Sequence, residues 1–439
     1  MPNKNIFCNI PWFELNINND GSYDLCGCQN DKLLGTELGE VYNIKKIPIE
    51  EYWNSERLRN SRMIKLGDIP DPKCNMCQQK DLVGYDSNRA KENTKSVIFP
   101  TQFDRSYQQS PHLHHFEYSQ ANQGLTKSNI HSLHINIGAT CNFACRMCNP
   151  NASTRLQTEF KQLKWISADK TYNHWSDDPI GWGNFLSFLN SNLNTIKVLH
   201  IIGGEVAFIP KFKFLVDYFA DKGIANTVNL SFTTNGSYTY AEYFESLSKY
   251  KRTEIGISIE GISTMGNYLR QGGEIDKILK NIQWLNQNKP QNMQLVLRTV
   301  PSLLSLPSYY EVIEWAWDNG IPIDNSLLTN PKWQLASLLS DSLKEKVIED
   351  VTKILNRLPS IAKQEFKNQK DPHKLSITMH NECETIINVA KLPAPINADD
   401  LRKECAAKLT QWDKLKNINL RDYSVELYEM LSKYGYQGA

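Results

Sequence analysis

Residues 131–328 alternate between short apolar runs and helix-length segments, and this alternation constrains the fold more than any other feature. Six runs are predicted strands: 133–137, 196–202, 228–232, 254–259, 293–300 and 321–327. Segments between them have the length of helices: 211–222, 240–250, 274–288 and 308–319. Strand–helix repetition implies a parallel sheet with right-handed crossovers. Six such units predict an α/β protein with an open, partial (β/α)6 TIM barrel.

Chemically distinctive residues follow four of the predicted strands. They are the cysteine-rich stretch 140–149, Gly203-Gly204-Glu205, Thr234-Asn235-Gly236 and Glu260-Gly261. Barrels and open α/β sheets bind ligands at the carboxyl ends of their parallel strands. We therefore expect the four loops to meet on one rim of the barrel and to form a site there.

Three cysteines in the first of these loops have a spacing that suits a metal cluster. Cys141, Cys145 and Cys148 are arranged as C-x3-C-x2-C, which is short enough for one loop to wrap an iron–sulfur cubane. Three thiolates would hold three irons and leave the fourth iron open to a substrate or cofactor. A zinc site, or three unconnected thiols, is the alternative at this point.

With this triad, the sequence resembles the radical S-adenosylmethionine (SAM) superfamily, and more narrowly those members that carry a twitch-type auxiliary cluster domain. The resemblance implies the same barrel, a [4Fe–4S] cluster on the three cysteines, and SAM chelated to the open iron through its amino and carboxylate groups. It also implies reductive cleavage of SAM to methionine and a 5′-deoxyadenosyl radical, which abstracts a hydrogen atom from the substrate.

The resemblance also assigns cofactor contacts in the first three loops. Met147 stands where an aromatic residue often packs near the adenine, and a polarizable thioether can fill that place. Gly203 and Gly204 allow close backbone approach to a ligand, and Glu205 accepts hydrogen bonds from the SAM ammonium group. Asn235 is assigned to the cofactor ribose, with a purely turn-forming role as the alternative.

A serine and an arginine are assigned to the SAM carboxylate on the same grounds. Ser258 and Arg270 lie twelve residues apart, as in related enzymes. A guanidinium suits the task because it is always charged and can pair with both oxygens. Glu260 replaces the more usual Asp of these relatives, so an acid or base role of that Asp does not carry over.

The N-terminal region holds a second group of cysteines. Cys74 and Cys77 have the spacing of a metal clamp, and Cys8 with Cys26 or Cys28 would complete four ligands, Cys26 being preferred. Their order resembles the twitch domain, which implies an auxiliary [4Fe–4S] cluster. A structural zinc site is the alternative, since four thiolates satisfy either metal. Cys28 is then an inert thiol or a catalytic hydrogen-atom donor to a substrate radical.

Composition and pattern divide the chain and limit its location. We predict a cysteine-rich domain over 1–95, a connecting loop over 96–130, the barrel over 131–330 and a helical region over 331–439. A net charge of +1 creates no field that favours nucleic acid or a membrane surface. There is no spanning apolar run and no signal-like start. The ten cysteines cluster at metal-like spacings, which favours a reducing, cytoplasmic setting.

The sequence-based hypothesis is an enzyme that modifies a ribosomal peptide by radical cross-linking or epimerisation. It would need an electron donor such as flavodoxin or ferredoxin. The alternative substrate is a small alcohol, sugar or nucleotide. A non-catalytic iron–sulfur or zinc protein for electron transfer is the alternative of another class. Glu205, Ser258 and Arg270 argue against it, because a binding module would not need them.

Overall fold

The fold is built on one eight-stranded sheet. Its strands in chain order are β1 (Glu14–Ile17), β2 (Tyr23–Asp24), β3 (Ser132–Asn136), β4 (Val198–Ile202), β5 (Asn229–Thr234), β6 (Arg252–Ser258), β7 (Met293–Thr299) and β8 (Ile323–Asn325). Their order in the sheet is β2-β1-β3-β4-β5-β6-β7-β8. The structure is a computed structural model, which describes residues 7–26, 42–67, 71, 74–82, 87–94, 112–358 and 372–438.

The six predicted strands are confirmed as β3 to β8. Every pair of neighbours among them is parallel. Each strand is joined to the next by a segment that contains at least one helix, as parallel neighbours require. The partial (β/α)6 barrel is therefore confirmed.

Two further strands, which no sequence pattern predicted, come from the N-terminal cysteine-rich region. β1 pairs in parallel with β3, from Glu14 opposite Ser132 to Ile17 opposite Ile135, and β2 pairs antiparallel with β1. They have four and two residues, too few for a periodic pattern to stand out. Backbone hydrogen bonds thus join the N-terminal region to the edge of the barrel sheet.

Helices surround the sheet and form most of the C-terminal region. In chain order they are α1 (Ile10–Phe13), α2 (Ile49–Trp53), α3 (Glu56–Leu66), α4 (Asn75–Leu82), α5 (Asn88–Thr94), α6 (Leu113–Ala121), α7 (Thr154–Gln162), α8 (Pro179–Asn192), α9 (Pro210–Asp221), α10 (Phe244–Ser248), α11 (Thr264–Leu269), α12 (Ile275–Asn288), α13 (Tyr309–Asp318), α14 (Asp341–Arg357), α15 (Pro372–Ala390), α16 (Ala398–Lys416) and α17 (Val425–Ser432).

Local sequence explains where these helices form. In α12, Ile275, Ile278, Ile282 and Leu285 recur at three- and four-residue intervals and are all buried, so one face of the helix packs on the core. α8 begins at a proline, and the preceding Asp178 accepts hydrogen bonds from two amides of the first turn. Among the described residues, no helix combines the length and apolar character that crossing a membrane requires.

The predicted connecting loop, 96–130, is not entirely a loop, because α6 lies within it; residues 96–111 lie outside the described residues. Only Phe116 and Ser119 of α6 are buried, so its sequence shows little apolar periodicity. Tertiary contacts hold it: the Phe116 ring lies 4.9 Å from Trp12 and 5.1 Å from Phe7, centroid to centroid. The loop prediction is wrong at α6 because contacts with residues distant in sequence stabilise this helix, and a local pattern does not.

The two faces of the barrel sheet differ sharply in character. One face carries buried aliphatic side chains, such as Leu133 and Ile135 on β3 and Leu199 and Ile201 on β4. Each such side chain contributes about 1.5–3 kcal/mol of burial free energy. The other face is mainly polar and half-exposed along the same strands, with Val198 and Ile202 of β4 as apolar members. Parallel strands covered on both faces normally read as continuous apolar runs, so this alternation marks an open polar interior.

Candidate functional site

The three predicted cluster cysteines lie on one loop that leaves the carboxyl end of β3. Cys145 is 9% exposed, and Cys141 and Cys148 are half-buried. The amides of Ala144 and Arg146 donate 2.8 Å hydrogen bonds to carbonyls at and just after the end of α11, and the amide of Cys148 donates to the Cys145 carbonyl at 3.1 Å. Backbone hydrogen bonds therefore hold this loop, here called the cysteine loop (139–149), in a defined shape.

The glycine motif after β4 lies directly against the cysteine loop. The amide of Gly204 donates to the Gly138 carbonyl (3.0 Å), and the amide of Glu205 donates to the Thr140 carbonyl (2.7 Å). A Cβ atom on Gly204 would lie 2.2 Å from the Thr140 oxygen, which is closer than any real contact. The close approach expected towards a ligand is, at Gly204, an approach to the protein backbone.

Glu205 is fully buried, and its carboxylate is surrounded by donors from the loop after β5. It accepts hydrogen bonds from the Thr234 hydroxyl (2.9 Å to each oxygen), from the Asn235 amide (2.7 Å) and from the Tyr240 hydroxyl. Burial raises the pKa of Glu205, and these donors oppose the rise. The side chain therefore ties two rim loops together, while its contact with a cofactor stays a prediction.

Asn235 and Arg270 place donors near the sulfurs of the cysteine loop. The side-chain nitrogen of Asn235 (Nδ2) lies 3.9 Å from the Cys141 sulfur and donates to the Asn142 side-chain oxygen at 2.8 Å. Nη1 of Arg270 lies 3.8 Å from the Cys145 sulfur. Two of the three sulfurs thus have a side-chain N–H group close by, a common second layer around a metal ligand.

Arg270 is 4% exposed and forms an ion pair with the buried carboxylate of Glu260, with Nη2 2.7 Å from Oε2. Burial raises the pKa of Glu260, and the guanidinium opposes that rise. Ser258 is half-buried at the end of β6, opposite Arg298 of β7 in the sheet register. The structure places Arg270 against Cys145 and Glu260, and among the described residues no hydrogen bond joins it to Ser258. Met147 is half-buried and packs against the core.

The chemistry of the cysteine loop fits an iron–sulfur cluster. Burial raises the pKa of Cys148 to about 11 and also raises those of Cys141 and Cys145, so the free thiols keep their protons and a metal must displace them. Among the described residues, the three sulfurs do not all lie within 4.8 Å of one another. Tetrahedral zinc with bonds of about 2.3 Å would set its sulfurs only about 3.8 Å apart, so the wider spacing of these sulfurs favours a cluster over a single zinc ion.

The N-terminal cysteines also come together. One cavity is lined by Cys8, Cys26, Cys74 and Cys77, although Cys8, Cys26 and the Cys74–Cys77 pair come from three separate stretches of the sequence. Cys8, Cys26 and Cys77 are buried. Cys28 lies outside the described residues. The donor set is again all sulfur, which suits an iron–sulfur cluster or zinc.

A lysine that no sequence motif indicated also belongs to this second site. Lys65 of α3 is 1% exposed; its ammonium donates to the Cys74 sulfur at 2.8 Å and to the Asp71 carboxylate at 2.9 Å. Burial disfavours the charged form, but Cys74 and Asp71 outweigh it and raise the pKa of Lys65. No spacing rule links a helix lysine to these cysteines, so the sequence carried no signal for it.

The polar face of the sheet forms a row of hydrogen-bonding side chains below the cysteine loop. By strand register the row runs across six strands through Asn16, His134, His200, Ser231, Glu254 and Gln294. The rings of His134 and His200 lie 4.9 Å apart, and His200 hydrogen-bonds Ser231. Arg298 joins the row: its guanidinium donates to Thr233 (2.6 Å) and Glu254 (3.1 Å).

Two family models match this chain. The model described as the radical SAM superfamily matches residues 135–300, a span that includes all four rim loops. A model described as an iron–sulfur cluster-binding domain matches residues 8–78, where the N-terminal cysteines lie. The chain belongs to the radical SAM superfamily. It is a member of an enzyme superfamily whose cofactors are a [4Fe–4S] cluster and SAM, and it carries an auxiliary cluster-binding domain.

Solved structures with remote similarity to this radical SAM protein include two further proteins. SuiB from Streptococcus suis, bound to precursor peptide SuiA, has 14% identity and a TM-score of 0.35 over 65% of this chain and 60% of that one. TYW1 with a bound lysine–pyruvate adduct has 14% identity and a TM-score of 0.30 over 48% of this chain and 68% of that one. The chain thus spans 60% of the length of SuiB. Scores this low carry no statement about substrate. No curated protein sequence matches the chain.

Proposed function

We propose that this radical SAM protein cleaves SAM reductively, abstracts a hydrogen atom from a ribosomal peptide and so modifies that peptide. The observation that carries the proposal is the cysteine loop at the carboxyl edge of the sheet, with N–H donors beside two of its three sulfurs. Ser258 lies at the same edge. An electron-transfer protein would not need this polar surround, so catalysis is the better account.

The residues around the loop have separate roles in this proposal. When bound, the reduced cluster and SAM supply the 5′-deoxyadenosyl radical. The three loop cysteines hold three irons and leave one open. Asn235 and Arg270 stabilise negative charge on the sulfurs. Ser258 offers its hydroxyl to the SAM carboxylate, and Glu205 keeps the rim loops in register.

The N-terminal site holds the auxiliary [4Fe–4S] cluster in this proposal. Cys8, Cys26, Cys74 and Cys77 supply the four thiolates, and Lys65 offsets part of their negative charge. The cluster relays electrons or binds the substrate. A small electron-transfer protein such as flavodoxin or ferredoxin supplies the electron for SAM cleavage.

The polar inner face of the barrel supports a peptide substrate. A peptide offers hydrogen-bond donors and acceptors at every residue, and the face offers matching groups from His134 to Glu254. Sequences with this order of motifs also include modifiers of ribosomal peptides.

The first test measures SAM cleavage. Anaerobically reconstituted protein, given SAM and dithionite, should release 5′-deoxyadenosine, and the Cys145→Ala variant should not. Iron content should be about eight per chain if both sites hold [4Fe–4S] clusters. Equal product from wild type and Cys145→Ala would refute the enzymatic proposal. About four irons with bound zinc would instead assign zinc to the N-terminal site.

The second test identifies the substrate. Candidate peptides deuterated at single positions are incubated with the reduced enzyme and SAM, and 5′-deoxyadenosine is analysed by mass spectrometry. Transfer of deuterium from a peptide supports the proposal. Transfer from a deuterated alcohol, sugar or nucleotide, and from none of the peptides, would reassign the substrate class while leaving the radical chemistry intact.

A further inference from the structure

The C-terminal helical region reaches the cysteine loop through one buried ion pair. Arg146, between the second and third loop cysteines, is 1% exposed, and Asp413 on α16 is fully buried. Nη2 of Arg146 donates to the Asp413 carboxylate, and its Nε donates to the Tyr268 carbonyl at 3.2 Å. The two partners are 267 residues apart in sequence, so only the folded chain brings them together.

Other groups complete the surroundings of this pair. The guanidinium carbon of Arg146 lies 4.1 Å from the centroid of the Tyr268 ring and 4.9 Å from that of Trp412. The hydroxyls of Tyr268 (3.0 Å) and Tyr436 (2.6 Å) both donate to Asp413. Each charge is therefore matched by an opposite charge and by further polar or aromatic contacts.

The backbone of Arg146 is also held by hydrogen bonds. Its carbonyl accepts a 2.7 Å hydrogen bond from the fully buried amide of Gln334, and its amide donates to the Leu269 carbonyl. Leu269 immediately precedes Arg270, which lies against the Cys145 sulfur. A residue from beyond the barrel and the last residue of α11 thus fix the main chain directly after Cys145.

A buried ion pair is a poor general stabiliser, because desolvation offsets much of its Coulomb attraction and apolar side chains often serve as well. Such a pair instead favours one geometry, because moving either partner away leaves a buried charge without compensation. At this place the geometry it defines is the separation and orientation of two cluster ligands. The C-terminal helix therefore does more than cover the barrel.

We propose that Asp413 is a positioning residue for the radical SAM cluster: through Arg146 it holds the cysteine loop in the shape that three iron-bound sulfurs require. The inference rests on the proposed function, because it assumes a cluster on the loop. It assigns the region 331–439, which had no chemical role in the sequence-based prediction, a positioning part in the active site.

The test replaces Asp413 by Asn, which keeps the shape but removes the charge. To observe the loop cluster alone, the experiment uses the Cys74→Ala/Cys77→Ala background. Iron release to a chelator should be about tenfold faster in Asp413→Asn, because losing the groups behind metal ligands lowers metal affinity by roughly 10–100-fold. The EPR spectrum of the reduced cluster, with and without SAM, should also change. As single changes in the same background, Arg146→Lys should retain more of the normal EPR spectrum than Arg146→Gln.

Glu159→Gln is the matched control. Glu159 on α7 accepts a 2.8 Å hydrogen bond from Trp412 and pairs with Lys416, so it anchors the same helix without touching the cysteine loop. It should leave iron release and the EPR spectrum unchanged. If Asp413→Asn does not fold, Tyr436→Phe removes one hydrogen bond to Asp413 and should shift both readouts in the same direction, by less.

The outcomes separate this inference from the proposed function. Normal iron release and spectrum in Asp413→Asn, or equal effects in Glu159→Gln, would overturn the positioning role and leave the function standing. A background protein that holds no iron on the cysteine loop would overturn both. A selective effect of Asp413 and Arg146 supports both.

Discussion

Substituting Gly204 by alanine should separate the glycine motif and the cysteine loop. The new Cβ would lie 2.2 Å from the Thr140 oxygen and 2.6 Å from the Thr140 carbonyl carbon, both backbone atoms. An ordinary contact is more than about 1 Å longer, so the two segments must move apart. The movement strains the hydrogen bonds from Gly204 to Gly138 (3.0 Å) and from Glu205 to Thr140 (2.7 Å).

The expected cost follows from these contacts. Overpacking against a backbone costs about 1–3 kcal/mol, and two weakened hydrogen bonds add about 0.5–1.5 kcal/mol each. The total loss in the free energy of unfolding is about 2–6 kcal/mol. At a urea dependence of about 3 kcal/mol per molar, the unfolding midpoint should fall by roughly 0.7–2 M. Iron retained after reconstitution should fall as well, because the displaced segment carries the cysteines.

Gly183→Ala is the control for this measurement. Gly183 lies in α8, and a Cβ there would meet nothing within 4 Å. Alanine in a helix interior should raise stability by about 0.5–1 kcal/mol. Unfolding followed by circular dichroism on the metal-free protein gives both midpoints. If Gly204→Ala unfolds at the wild-type midpoint and retains wild-type iron, the assigned contact between the two loops is wrong.

Three further outcomes are expected. Lys65→Met removes the ammonium beside Cys74 and should lower the midpoint potential of the auxiliary cluster by up to about 100 mV in an EPR-monitored titration. Lys65→Arg should stay closer to wild type. An unchanged potential in Lys65→Met would contradict the assignment of Lys65 to this site. Gly256→Ala would set a Cβ 2.3 Å from Nε of Arg298 and displace that flexible guanidinium. The KM for a peptide substrate should then rise about tenfold, while SAM cleavage without substrate persists. Loss of peptide binding and SAM cleavage together would contradict a role of Arg298 in substrate binding. Burial, with smaller contributions from neighbouring histidines, lowers the pKa of His115 to about 4. The unfolded chain therefore binds a proton at His115 more readily than the folded chain, and the free energy of unfolding should fall as the pH drops from about 6.5 to 4. NMR titration gives the pKa, and His115→Gln should lessen this fall.

The strands and rim loops of the barrel were predictable because their signals are local. Strands such as Ser132–Asn136 and Asn229–Thr234 alternate apolar and polar residues, and turn-forming residues follow them. Parallel pairing then brings their carboxyl ends to one edge, which is why Glu205, Asn235 and the cysteine loop could be placed together before their contacts were known.

Several features of the site lacked any local signal. β1 is recognised as a strand only through its pairing with β2 and β3. Glu260 was noted only as a departure from the usual Asp, yet its partner is Arg270. Lys65 is an ordinary helix residue until the chain brings Cys74 to it. These roles depend on which side chains share a small volume, and spacing in sequence does not encode that.

The amino-acid sequence alone determined the barrel, its rim loops and the spacing of the cluster cysteines, because periodicity and short motifs act over a few residues. Only the tertiary structure decided that Lys65 lies beside Cys74, that Glu260 pairs with Arg270, and that Asp413 reaches Arg146. The physical reason is that burial and charge pairing depend on separations in space, and the chain sets these only when it folds as a whole.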